Sequence, residues 1–157
     1  MPDHNPAVFF EIFNEIGIIE QLTRARLEAR LPDGLIAPHF AVLNRLVRVQ
    51  DGATPIDMAR AFQIAKTSLT HTLKGLEAKN LVEMRPNPQD GRSKTVWITD
   101  KGSVLRTDVI AALAEDFQPL LGRLDIERLT DMRPTLIELR KVLDLARDGE
   151  IGASAQR

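Results

Sequence analysis

The sequence predicts a mainly α protein with one small two-stranded β-wing. Three observations carry that class. Apolar residues recur at helical spacing over most of the 157 residues, only two short strand-like runs occur, and aromatic residues make up just 4% of the chain. At this length the chain can bury a real core, and one intertwined domain is favoured over two independent ones.

The elements follow in order. Residues 1–6 are polar with two prolines. From Ala7 to Arg30, Val8, Phe9, Ile12, Phe13, Ile16, Ile19, Leu22 and Leu27 keep helical spacing over about six turns, a helix too apolar to be covered by one neighbour. Leu31-Pro32-Asp33-Gly34 ends it. Residues 38–50, with Phe40, Val42, Leu43, Leu46, Val47 and Val49, predict a second helix closed by Asp51-Gly52. Thr54 before Pro55, with Asp57 three residues on, is a helix start: the hydroxyl accepts from an orphan N–H, the proline lacks an N–H that would go unpaired, and the carboxylate suits the positive helix end. Met58, Ala59 and Phe62 form the apolar side of this third helix, and Gln63–Lys66 is a short turn.

The fourth helix, about Lys66 to Lys79, gathers Ala65, Leu69, Leu73, Leu76 and Asn80 on one side. Opposite lie Thr67, His71, Lys74 and Ala78, with Ser68 and Thr70 on the flanks. A solvated helix ordinarily places Glu and Lys there for i,i+4 pairing. Hydroxyls, an imidazole and one ammonium are instead short groups that let a helix approach base edges and phosphates. The alternative is an ordinary polar face of an amphipathic helix.

Asn80 tolerates the left-handed conformation that ends a helix. Leu81–Arg85 and Thr95–Thr99 read as strands around a tip broken by Pro86, Pro88 and Gly91. The tip carries Asp90, Arg92 and Lys94; Arg92 suits a narrow minor groove, with Asp90 placed to orient it. The alternative is a solvated hairpin whose charges protect a sheet edge. Capped helix, polar-faced helix and charged ribbon in this order make a winged helix-turn-helix, a device for placing one helix in a DNA groove.

Thr99 can cap a fifth helix over about Asp100–Leu121, with Val104, Leu105, Val109, Leu113, Phe117 and Leu121 expected inward. Asp125 opens the sixth. There Leu129, Met132, Leu136, Leu139, Leu143 and Ala146 step by 3 and 4, a seam that suits either a partner helix or intramolecular packing. Pro134 removes a helix hydrogen bond and predicts a kink or break.

Charge is distributed unevenly. Residues 1–59 hold 5 Lys/Arg and 8 Asp/Glu, residues 60–101 hold 8 and 4, and residues 102–157 hold 8 and 10. The positive excess therefore falls on the segment that would meet phosphate. No apolar run approaches the roughly 20 residues of a membrane span, and the N-terminus does not resemble a signal peptide, so a cytoplasmic location is expected. The chain has no cysteine, which excludes disulfides, thiolate metal sites and a cysteine redox switch.

Asp90-Gly91-Arg92 followed by Val96, Ile98-Thr99 and Gly102 resembles the D-x-R…V-x-L-T-x-x-G wing signature of MarR-family transcriptional regulators. Leu76-Glu77-Ala78-Lys79-Asn80-Leu81-Val82 is similar to that family's L-E-x-x-G-L-V. The match covers about 50 residues closely. Departures are Asn80 for the usual Gly, Ala65 where a capping Ser or Asp is common, and Gly75 inside the recognition helix. Ala65 and Gly75 should each weaken that helix by roughly 1 kcal/mol.

The resemblance implies a six-helix protomer in an intertwined homodimer. Residues 7–34 and 103–148 would be dimerisation helices, 35–102 the winged lobe and 149–157 a tail. It further implies double-stranded DNA as partner, a palindromic operator, and repression relieved by a small aromatic or phenolic effector. Thr67, Ser68, Thr70, His71, Lys74, Asp90, Arg92 and Lys94 are the expected DNA-binding residues. Phe13, His39 and Phe40 are weak effector candidates because the first two helices flank the expected pocket, each with a core or surface role as the alternative.

No cofactor or metal is expected, and no enzyme motif is present: there is no H-E-x-x-H, G-x-S-x-G, P-loop or G-x-G-x-x-G, and His4, His39 and His71 lie on separate elements. The rival function is a winged-helix protein-interaction module without DNA binding. The hydroxyl-rich helix face opposes it, since protein interfaces favour aromatic anchors.

Overall fold

A computed structural model describes residues 5–147; the tail expected over 149–157, and His4, lie outside these. Six α-helices and a two-stranded antiparallel sheet run in the order α1 Ala7–Arg30, α2 Ala37–Arg48, α3 Pro55–Phe62, α4 Lys66–Ala78, β1 Val82–Asn87, β2 Asp90–Ile98, α5 Asp100–Phe117 and α6 Ile126–Arg147. A 3₁₀ turn at Gln118–Leu120 follows α5. The described residues up to Glu115 form one compact unit, and those from Asp116 a second.

The core of the first unit lies within the winged segment. Val42, Leu43 and Leu46 of α2, Met58 and Ala59 of α3, Leu69, Leu73 and Leu76 of α4, and Leu81, Val82 and Val96 of the wing are buried together. The apolar sides predicted for α2, α3 and α4 thus converge on one cluster, as three amphipathic helices must if each is to hide its stripe. The α3 start forms as its residue types require: the Thr54 hydroxyl accepts from the Asp57 N–H at 3.2 Å and donates to Asp57 Oδ2 at 2.7 Å. Thr54→Ala is expected to cost about 1 kcal/mol of stability in chemical denaturation, the ordinary loss for a missing N-cap.

Four expectations are corrected. The wing strands extend further than the residue types suggested, so Asp90, Gly91, Arg92 and Lys94 lie on β2 and only Pro88 and Gln89 turn between the strands. Pro86 pairs with Lys94 in register, next to an irregularity at Pro86/Asn87. In a two-stranded ribbon β1 has a free edge on which a missing N–H costs no ladder bond. Ala53 adds a short bridge to Val96, so β2 is flanked on both sides.

Second, of the kink or break expected at Pro134 the break is corrected, since α6 runs through that residue as one helix. A single proline removes one helix bond, and on an exposed helix water can satisfy the carbonyl that is freed. Third, the fifth helix gives way to the 3₁₀ turn before Leu121. Fourth, Val104, expected inward, is 59% exposed, while Val109 is buried. Gly102 in the first turn of α5 is buried against the Leu81 carbonyl and Ile98, while the face that carries Val104 is open.

Helices at the two ends of the chain keep their apolar residues in the open. Val8, Phe9, Phe10, Ile12, Phe13, Ile16 and Ile19 of α1 are exposed, and no α1 residue is buried. In the second unit, Leu129, Met132, Leu136 and Leu143 of the α6 seam are likewise exposed.

Candidate nucleic-acid interface

The start of α4 is set by a tight turn. Gln63 takes the left-handed conformation at φ 53°, and its N–H reaches back to the carbonyls of α3. Leu69, Thr72, Leu73 and Leu76 then face the core, which leaves Thr67, Ser68, Thr70, His71 and Lys74 exposed. Lys66, Thr67, Thr70, His71 and Lys74 line one shallow, open depression. Lys66 was not singled out by the sequence reading. Its position at the helix start, next to the hydroxyl run, was the available signal.

The hydroxyls are not equivalent. Thr70 Oγ1 donates to the Lys66 carbonyl at 2.9 Å, so Thr70 offers solvent its methyl group and oxygen lone pairs. Thr72, which faces inward, donates to the Ser68 carbonyl at 3.2 Å. A methyl group and acceptor oxygens can meet a thymine methyl and base donors in a major groove.

The wing presents Asp90, Arg92 and Lys94 in the open. Asp90 Oδ1 accepts from the Arg92 backbone N–H at 3.0 Å, so any orientation of Arg92 by Asp90 runs through the strand backbone. Asn87 Nδ2 donates to Ser93 Oγ at 2.9 Å, and Ser93 Oγ donates to the Asp90 carbonyl at 3.2 Å. These bonds stiffen the tip from within. Arg85, by contrast, is engaged on the ribbon: it pairs with Glu83, and its guanidinium lies 4.5 Å from the Trp97 ring centroid.

The wing is fastened to the helices at several points. Asp51 Oδ1 accepts from the Ile98 N–H at 2.9 Å and from the Gly52 N–H at 3.2 Å. Asn80, at φ 57°, closes α4, and its carbonyl accepts from Thr99 Oγ1 at 2.8 Å. Lys101 Nζ donates to the Lys79 carbonyl at 2.9 Å, a cation at the negative end of α4. Thr99 Oγ1 in turn accepts from the Gly102 N–H at 3.0 Å, the cap expected for α5. The bonds of Asp51 to Ile98, Asn80 to Thr99 and Lys101 to Lys79 were not legible in the sequence, because each joins distant parts of the chain.

Gly75, the apparent weak point of α4, has a packing role. A Cβ there would lie 2.7 Å from His39 Nε2 on α2. His39 is 8% exposed, and its Nδ1 accepts from the Ile36 N–H at 3.0 Å. Burial chiefly lowers its pKa below 6.5, and the nearby Lys79 ammonium acts in the same direction.

A cavity of about 410 Å³ opens beside these helices. Phe40 lines it, with Leu27, Pro38, Phe62, Ile64 and Leu69 as apolar wall and Glu20, Arg24, Asn44 and Thr72 as polar groups. Phe13 and His39 do not line it: Phe13 stacks on Phe9 at 6.0 Å between ring centroids, and His39 faces α4. Glu20 and Arg24 form an ion pair at 2.7 Å. Among the described residues no helix is long and apolar enough to cross a membrane, and no three metal-ligating side chains of the His, Cys, Asp or Glu type gather at one point.

Residues 33–93 match the model described as MarR family, which is the family whose wing signature the sequence resembles. The fold matches a MarR transcriptional regulator from Methanosarcina mazei Go1 at 22% identity and a TM-score of 0.71, over 85% of this chain and 97% of the other. It also matches a MarR-family transcriptional regulator from Rhodococcus sp. RHA1 at 20% identity and a TM-score of 0.70, over 86% and 97%. A cysteine-to-serine mutant of MarR from E. coli, solved in complex with operator DNA, matches at 24% identity and a TM-score of 0.66, over 83% and 94%.

Proposed function

We propose that this chain, whose fold is that of MarR-family transcriptional regulators, binds a specific DNA operator as a homodimer and regulates transcription there, as a repressor that a small aromatic ligand releases. The observation that carries the proposal is the exposed, short-polar face of α4 presented together with the exposed wing cations. In this reading α4 lies in a major groove with Thr67, Ser68, Thr70 and His71 on bases or phosphates and Lys74 on phosphate. Arg92, its backbone held by Asp90, enters the adjacent minor groove, and Lys94 holds the flanking backbone.

The homodimer is supported by the apolar residues that α1 and α6 each leave exposed, a larger display than a lone soluble chain ordinarily carries. Two copies of α4 would then read half-sites about one or two helical turns apart, which calls for a palindromic target in the cytoplasm. Residues 7–34 and 103–148 supply the dimerisation helices in this reading, and 35–102 the DNA-binding lobe.

The effector would occupy the Phe40 cavity, whose wall includes Leu69 and Thr72 of α4 itself. A ligand there touches the recognition helix from behind. A coupling of about 1–3 kcal/mol between the two sites would lower DNA affinity by about 5- to 150-fold.

The test is a mobility-shift and footprinting assay on the DNA flanking the chain's own gene, with mass measured by light scattering. The expected result is a dimer that protects a palindrome. A monomer that retards no duplex, while capturing a protein partner, would reverse the reading in favour of an interaction module.

A further inference from the structure

The effector cavity and the exposed face of α4 both belong to the function proposed above, but the contact between His39 and Gly75 belongs to neither. His39 sits between two cavity-lining residues, Pro38 and Phe40, yet its ring is turned to the other side, against the middle of α4. Nδ1 accepts from the Ile36 N–H, so the ring proton of the neutral imidazole is on Nε2. That single bond satisfies one of the orphan donors at the start of α2. Beside it the Ala37 N–H donates to Glu28 Oε1 at 2.9 Å, which ties the same helix start to α1.

We propose that His39 is a positioning residue for α4, and that gaining a proton at its Nδ1 unseats the recognition helix and weakens DNA binding in acid. The proposal rests on the DNA-binding reading of α4.

The chemistry follows from the partners. An imidazolium has two N–H donors and no acceptor, so protonation removes the bond from Ile36 and sets one N–H against another. The ring must then rotate or shift. The space beside it is taken by Gly75, where even the missing Cβ would be too close. The groups facing the new charge are His71 on α4 and Lys79 just past its end, and the Lys79 ammonium repels it. Glu28 is the carboxylate at the same helix start, and it is already engaged by the Ala37 N–H.

The sign is therefore definite. His39 is held neutral in the folded lobe, and its folded pKa lies below 6.5. Above that value both seated and unseated states are neutral and nothing is lost. As pH falls below it, the unseated state takes up the proton first, so the seated state loses ground until the folded pKa is passed.

The test measures fluorescence anisotropy of a duplex selected in vitro against the wild-type protein, at fixed ionic strength, between about pH 7.5 and about pH 5.5. Wild type is expected to lose at least about fivefold in affinity across this range. His39→Gln, which cannot take up a proton, is expected to change by less than about twofold, and His71→Gln to keep the loss. In parallel, ring-nitrogen NMR of the wild-type protein at neutral pH should show His39 as the Nε2–H tautomer.

A loss that persists in His39→Gln, a wild-type affinity indifferent to acid, or an Nδ1–H tautomer overturns the proposal and leaves the DNA-binding reading standing. Failure to bind any selected duplex at the neutral end overturns that reading and the proposal together. Should His39→Gln not fold, the tautomer and the His71→Gln profile still decide.

Discussion

Gly102→Ala is expected to destabilise the winged lobe by about 3 kcal/mol and to lower its melting temperature by about 6–12 °C. The added Cβ would stand 2.2 Å from the Leu81 carbonyl oxygen and 3.0 Å from Ile98 Cγ1. Neither neighbour can step aside cheaply. The Leu81 carbonyl accepts from the Thr99 N–H at 3.1 Å, and Ile98 is held by Asp51 through its N–H at 2.9 Å. The first turn of α5 would have to lift, which also breaks the bond from the Gly102 N–H to Thr99 Oγ1. Chemical denaturation at fixed protein concentration measures the cost. Gly91→Ala is the control, since nothing lies within 4 Å of a Cβ at that position, and its expected change is within about 0.5 kcal/mol. Equal effects at the two glycines would mean that backbone freedom, not the approach to Leu81, is what Gly102 supplies.

Lys74→Ala combined with Arg92→Ala is expected to lower operator affinity by roughly two orders of magnitude near physiological salt and to flatten its salt dependence. Each cation that leaves a phosphate removes about 0.9 from the slope of log affinity against log salt, so either single variant in a dimer should flatten it by about two units. Both side chains are exposed, and the two sit on different elements whose backbones are separately held, so their losses should add. Arg85→Ala serves as comparison: its charge is engaged by Glu83 and Trp97, and the slope is expected to hold. Anisotropy titrations from low to high salt give all of these slopes. An unaltered slope in the double variant would remove Lys74 from the phosphate contacts and Arg92 from the minor groove, and with them the proposed pose.

Much of the fold was legible because its signals are local. The α3 start is written in Thr54, Pro55 and Asp57, three residues that meet one another within a single turn. The left-handed Asn80, the α4 core face and the opening of α6 at Asp125, whose Oδ1 accepts from the Arg128 N–H at 3.1 Å, are of the same kind. The places where the expectation failed are those in which a local preference met a wider setting. Pro86 and Pro134 both look like stops, yet each occupies a position where the lost N–H has an alternative, a free ribbon edge in one case and open solvent along α6 in the other.

Within the candidate interface, residue type and helical period by themselves determined which α4 side chains share an outer face, and the wing motif determined where the cations stand. The sequence carried no means of ranking the three effector candidates. Only the tertiary structure decided that Phe40 lines the cavity while His39 turns to Gly75, that Asp51 fastens Ile98, and that Gly102 admits the Leu81 carbonyl. The physical reason is one of range. A cap or an apolar stripe is decided by neighbours within about two turns. What a buried histidine or a missing Cβ is for depends on the atom opposite it, and that atom arrives from a distant part of the chain only when the core has closed.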